Sequence, residues 1–221
     1  MSKVAIVGDP SGTGTFTISA PNGNTDRTLV LPDEAGTVLT SASGLTAGNL
    51  TGSVPASAMP AGSVLQVAQD VLATQIASNT GATHVDIGLQ VQLTPTSSSN
   101  KFLISGNVFM SSSYTNMSHA LILQRSIGGG TFSDVGIGTS GGLGYGVTAW
   151  WAKTGADVSA GDGWQLTFEY LDSPATASTV DYRIMARAYS GYMYINRNVR
   201  NNHAGFDLYP ISTITVKEIA A

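Results

Sequence analysis

The feature that most constrains this chain is a two-residue hydrophobic alternation that sets in near Ser63 and recurs almost to the end. Between positions 84 and 93, Val85, Ile87, Leu89, Val91 and Leu93 alternate with His84, Asp86, Gly88, Gln90 and Gln92. Successive side chains of a strand point to opposite faces, so this period describes a strand with one apolar and one wet face and does not fit a helix of period 3.6. The pattern returns at Phe102, Ile104, Val108 and Met110. It returns again at Trp164, Leu166, Phe168 and Tyr170 against Gln165, Thr167 and Glu169. A further run sets Tyr182, Ile184, Ala186 and Ala188 against Arg183, Met185, Arg187 and Tyr189. Residues 120–123 are apolar on both faces, the mark of a central strand. With residues 64–71, 147–151 and 211–219 there are about eight strands. Residues 67–78 are the best helix candidate, but the branched Val71, Thr74 and Ile76 suit a strand better.

Turn clusters separate these runs: Thr94, Pro95 and the serines that follow, Gly128 to Gly130, and Asp172, Ser173 and Pro174. That spacing predicts an all-β fold, an antiparallel jelly-roll-like β-sandwich over residues 62–221. Upstream the texture changes. Residues 4–7, 15–18 and 28–31 are short β-like pieces divided by Asp9, Pro10, Ser11 and Gly12 and by Pro21, Asn22, Gly23 and Asn24. Forty residues with so few large apolar groups fall below the size of a self-sufficient core, so residues 1–40 need a partner chain or a docking surface. Residues 35–62 carry no charge and are mostly Ala, Gly, Ser and Thr. Residues 41–61 read as a linker, in which the spaced Leu45, Leu50, Val54 and Met59 suit a semi-ordered stalk around a threefold axis.

Composition narrows the function. Charged residues make up 11% of the chain, less than half the ~25% usual for soluble domains. Charge is depleted at the cores of subunit interfaces, so an oligomer is expected. A net charge of −4 with no basic cluster argues against nucleic acid as a partner. The absence of cysteine excludes disulfides and thiolate metal sites. No run approaches the ~20 apolar residues of a membrane span, and the start lacks the long apolar region of a signal peptide, so assembly in a cytoplasm without membrane insertion is expected.

Several motifs invite a chemical reading. Residues 4–14 resemble a strand entering a phosphate-binding glycine loop, but no Lys follows the glycines and the next segment is β-like, so a plain turn is expected. His84, His119 and His203 lack metal-ligand spacing, and no metal or other cofactor is expected. Asp157 with Asp162, or Glu169 with Asp172, would have to sit ~5 to 10 Å apart across a sugar to act as glycosidase carboxylates. Both pairs lie in or beside turn-like sequence, and no enzyme activity is expected. The most suggestive constellation runs from 182 to 200, where Arg183, Arg187, Arg197 and Arg200 mingle with Tyr189, Tyr192 and Tyr194. Arg forks bind carboxylates and phosphates and Tyr rings stack on sugars, so these seven residues are the candidate receptor-binding set, with an acidic surface glycan as ligand; a subunit interface is the competing use. Residues 190–205 read as a long polar recognition loop. Adjacent Trp150 and Trp151 must face opposite ways in a strand, so at least one belongs to a core or an interface.

Two stretches carry a family resemblance. Residues 15–22, TFTISAPN, followed by residues 27–39, RTLVLPDEAGTVL, resemble the opening of bacteriophage tail-fibre and adhesin subunits. Residues 91–104, VQLTPTSSSNKFLI, and 212–219, STITVKEI, are similar to the C-terminal modules of such proteins. The resemblance implies a structural virion protein: a homotrimeric tail appendage fixed to tail or baseplate proteins through residues 1–40, with a distal β-sandwich contributing to host attachment. At 221 residues the chain is short for a full tail fibre, which keeps open a head fibre or capsid decoration protein and, less favoured, a glycan-cleaving tailspike.

Overall fold

The computed structural model describes residues 54–79, 83–113, 117–140, 146–153, 163–201 and 209–221, the positions Gly81, Gly205 and Asp207, and part of residues 8–28. The chain divides into two compact units, Met1–Thr51 and Gly52–Ala221. In the first, Pro10 and Ser11 form a turn and residues 22–25 bend, where the sequence places turn clusters. The three β-like pieces there lie wholly or partly outside the described residues, as does the linker up to residue 53.

The second unit contains eleven strands among the described residues. These are β1 (Val64–Leu72), β2 (Ile76–Asn79), β3 (Val85–Leu93), β4 (Lys101–Ser112), β5 (Met117–Ile127), β6 (Ser133–Val135), β7 (Ala149–Lys153), β8 (Trp164–Asp172), β9 (Val180–Ala188), β10 (Tyr192–Ile195) and β11 (Ser212–Ile219). The first sheet runs β1-β11-β4-β8, with β10 pairing β4 past the end of β11 and β2 pairing β10; the second runs β3-β9-β5, with β6 and β7 sharing the far edge of β5. All pairs are antiparallel. The eight strands read from the sequence fall into two sets of four, β1, β11, β4 and β8 facing β3, β9, β5 and β7, with the chain passing between sheets. That is a jelly roll.

The alternation puts its apolar half between the sheets. Ile87, Leu89, Phe102, Ile104, Leu121, Leu123, Tyr182, Ile184, Ile214 and Val216 are all buried, and the Phe102 and Tyr182 rings meet edge to face at 6.0 Å. One end of the core is aromatic: Trp151 stacks on Trp164 at 3.6 Å and lies 6.0 Å from the His119 ring. Asp172, pointing inward at the end of β8, accepts from Arg125 Nη1 at 2.8 Å and from the Tyr182 hydroxyl at 2.7 Å. Burial, reinforced by that hydrogen bond, pushes the Tyr182 phenol far above its usual range.

Three features depart from the sequence reading. Strand β3 is bulged: Gly88 takes φ +77, its N–H donates to Asp86 Oδ1 at 2.8 Å, and the pairing with β9 slips between Asp86 and Gln90. The stretch 190–205, read as one long loop, instead contains β10, whose Met193 and Ile195 are fully buried. The strand was hidden because it is four residues long, and its place depends on an unusually long β4. That strand carries β8 along one edge, while its other edge serves first β11 and then β10. Residues 52–61, expected within the linker, belong to the sandwich unit. Ala56–Ala58 form a single 3-10 turn, and Gly62 N–H donates to Ala220 O at 2.9 Å.

Candidate recognition face

The seven residues of the candidate set do not converge on one patch. Tyr192 and Tyr194 stand on the outer face of the first sheet with ring centroids 6.2 Å apart, and the Arg197 guanidinium lies 4.2 Å above Tyr194. Arg200 turns away and pairs with the buried Asp207 at 2.8 Å, where Asn198 Nδ2 also donates to the same carboxylate. Arg183, Arg187 and Tyr189 stand on the outer face of the second sheet, across the sandwich from the first three. Strand parity carries Arg183 and Arg187 to one face, but the turn after Tyr189 passes the chain to the other sheet, so sequence proximity does not become spatial proximity.

Arg183 is fastened into its sheet. Its Nη1 donates to Asp86 Oδ2 at 2.9 Å, its Nε to Gln124 Oε1 at 2.9 Å, and its guanidinium covers the Phe132 ring at 4.0 Å. Gln124 Nε2 in turn donates to Asp134 Oδ1 at 2.8 Å. Beside this network, Gln90 and Gln92 both donate to Asp181 Oδ1.

Two rows further along, past Met185 and Ile122, the same face changes character. The register sets Arg187 opposite Ala120 and Ala120 opposite Trp150, so the three form a row across β9, β5 and β7. Val85 pairs with Ala186, which puts His84 at the β3 end of that row. The next row holds Tyr189, whose N–H donates to Ser118 O at 3.0 Å, then Ser118, then Ala152 opposite it. Trp150 is 66% exposed and Tyr189 62% exposed, while Ala120 between them is buried. The paired tryptophans therefore divide as strand geometry requires, Trp151 into the core and Trp150 onto the surface.

His84 Nε2 is buried and has no hydrogen-bond partner among the described residues. Burial lowers its pKa first and the Arg187 charge lowers it further, against the opposing pull of Asp134. His119 lies on the inner face of β5, so the two histidines do not meet; His203 lies outside the described residues. The carboxylate candidates are also apart. Glu169 is exposed on the outer face of β8 in mid-strand, not beside a turn, and Asp172 is buried on the inner face. Asp157 and Asp162 lie outside the described residues. Sequence reasoning named Arg187 and Tyr189 and weighed Trp150, but Ser118, Ala120 and Ala152 carry no signal of their own, since only the register of β5 with β7 and β9 brings them together.

No family model matches the chain, and no curated protein matches it. Among solved structures the chain is similar to that of the infectious bursal disease virus Gx strain, at 12% identity and a TM-score of 0.32 over 72% of this chain and 39% of that one. It is also similar to the VP2 subviral particle of infectious bursal disease virus, at 14% identity and a TM-score of 0.31 over 72% and 39%. T=1 particles derived from infectious bursal virus match at 11% identity and a TM-score of 0.33 over 72% and 37%. The chain thus spans about two fifths of the length of the chains it matches.

Proposed function

We propose that this chain is a structural virion protein, a short homotrimeric phage tail-fibre subunit that docks on tail or baseplate proteins through residues 1–40 and presents its jelly roll to the host surface. The observation that carries this reading is the division at Thr51: a complete jelly roll of residues 52–221 follows a separate N-terminal unit whose sequence resembles the opening segments of phage fibres. The recognition face fits the distal role, because it places exposed aromatics on rigid strands. Three weak sites per fibre and several fibres per particle would give firm attachment through effective concentration.

The outer face of the first sheet supports self-association. Its register aligns Val67, Lys217, Leu103 and Leu171 in one row, Gln69, Thr215, Ser105 and Glu169 in the next, and Val71, Thr213, Asn107 and Thr167 in a third. Val67, Val71 and Leu171 are about half exposed, and Lys217 and Glu169 are the charged residues of these rows. A β-face with one charge of each sign among these twelve positions resembles the charge-depleted core of a subunit interface. The test is deletion of residues 1–51 with a label on the remainder. The shortened chain is expected to stay folded and to be missing from particles, while the labelled full chain marks the tail; a shortened chain that still decorates particles overturns the polarity, and a label on the head overturns the tail assignment.

A further inference from the structure

We propose that the outer face of the second sheet holds a saccharide site: a trough floored by Ser118, Ala120 and Ala152, walled by Trp150 on one side and by Tyr189 and Arg187 on the other, that seats one sugar ring of a surface glycan. The proposal rests on the adhesive reading above and gives it a location. Strands in a sheet lie about 4.8 Å apart, so walls on β7 and β9 stand about 10 Å apart across β5. After the thickness of the side chains, that gap accommodates a single ring. The floor is made of the small side chains of Ser118, Ala120 and Ala152.

The chemistry of the walls selects the ligand. A pyranose presents weakly positive C–H groups on one face and hydroxyls around its edge. The C–H face suits the negative face of the Trp150 and Tyr189 rings, both of which stand well exposed at the two sides of the trough. Nucleic-acid bases also stack on aromatics, but Asp86, Asp134 and Asp181 share this face and would repel a phosphate backbone. A second copy of the chain fits the nearly neutral first sheet better than this charged one.

The full chain is tested on an array of neutral hexose oligomers, N-acetylhexosamine oligomers and uronate-bearing oligomers. Binding to at least one class is expected, and Trp150→Ala or Tyr189→Ala should weaken it roughly five- to tenfold. Ala152→Arg, which fills the floor while leaving both aromatics and the core intact, should do the same even if Trp150→Ala fails to fold. Tyr194→Ala on the opposite sheet should leave binding unchanged. The site is overturned if no oligomer binds, if Tyr194→Ala costs as much as Trp150→Ala, or if Ala152→Arg changes the molar mass in solution, which would make the trough a subunit contact. Competition with particle adsorption separates the two readings. Full chain and Ala152→Arg blocking adsorption equally would leave adhesion standing and remove the trough, whereas array binding without any competition would keep the trough and remove adhesion.

Discussion

His119 is fully buried on the inner face of β5 beside Trp151, and neither ring nitrogen has a hydrogen-bond partner among the described residues. Burial pushes its pKa down to about 4, with the Ser111 backbone pulling weakly the other way. The unfolded chain, with an ordinary value near 6.5, takes up the proton first as the medium is acidified. The resulting loss of stability is absent above pH 6.5, grows to about 2 kcal/mol by pH 5, and is complete below pH 4. Thermal melts at pH 7.5 and pH 5 should show this loss in the wild type, and His119→Leu should remove most of it; an equal loss in the variant would place the acid sensitivity elsewhere. Asn196 carries a different burden. It is fully buried with φ +57 and closes the gap where β4 changes partner from β11 to β10. Its N–H donates to Phe109 O at 3.2 Å, its Nδ2 donates to Leu72 O at 2.7 Å and Thr74 O at 3.1 Å, and its Oδ1 accepts from the Ser212 hydroxyl at 2.6 Å. Asn196→Ala should cost about 2 to 4 kcal/mol in denaturant unfolding, from several orphaned buried groups and a backbone angle that alanine tolerates poorly. A cost under ~1 kcal/mol would mean that water replaces the side chain.

Two glycines and one carboxylate set the shape of the strands. Gly88 forms the β3 bulge with open space around it, so Gly88→Ala meets only the backbone penalty of a positive φ, about 1 to 2 kcal/mol. Gly106, opposite Phe168 in the β4–β8 pair, has the aromatic ring lying where a Cβ would stand. Gly106→Ala must displace that ring and should cost more than Gly88→Ala in the same unfolding experiment; the reverse order would show that the ring moves freely. At the far end of β11, Glu218 is buried and ties down the β3–β4 connection. It accepts from Thr96 N–H at 2.6 Å, the Thr96 hydroxyl at 2.9 Å, Asn100 Nδ2 at 2.7 Å and Gln66 Nε2 at 2.6 Å. Burial alone would raise its pKa, but the donors from Asn100, Thr96 and Gln66 outweigh it and hold the carboxyl below its usual value. A depressed carboxyl contributes stability above its unfolded pKa and loses it as pH falls further, so this contribution fades in more acidic conditions than that of His119.

At the scale of the molecule, the two outer faces divide the labour we propose: the first sheet for copies of the chain, the second for the host. Val71→Lys together with Leu171→Lys places charge on the half-exposed first face without touching the core. Light scattering should then report a mass falling from near three times the 22.8 kDa chain to that of a single chain, with the thermal transition of the jelly roll retained. A wild-type chain that is already a stable monomer would remove the trimer and favour a decoration protein. Trp150→Ala, by contrast, should leave the mass unchanged.

Period-two patterning carried β3, β4, β8 and β9 and the all-β class by itself, because inward and outward side chains differ in polarity along each strand, and that difference is written locally; β5 showed instead as a run apolar on both faces. The same logic split Trp150 from Trp151 without knowing which way either pointed. What tertiary structure decided was everything that depends on register and partner exchange. The four-residue β10 is a strand only because β4 outruns β11 and leaves an edge unpaired. Asp172, turn-like in sequence, is a buried acceptor because Arg125 and Tyr182 lie across the sandwich. Residues 182–200 suggested one Arg and Tyr patch, yet the chain changes sheets at residues 189–191 and sends half of it to the opposite face. The trough draws on β5, β7 and β9, and its small floor residues acquire meaning only from the cross-strand hydrogen bonds that align them, which depend on pairs separated by tens of residues and leave no periodic trace in the sequence.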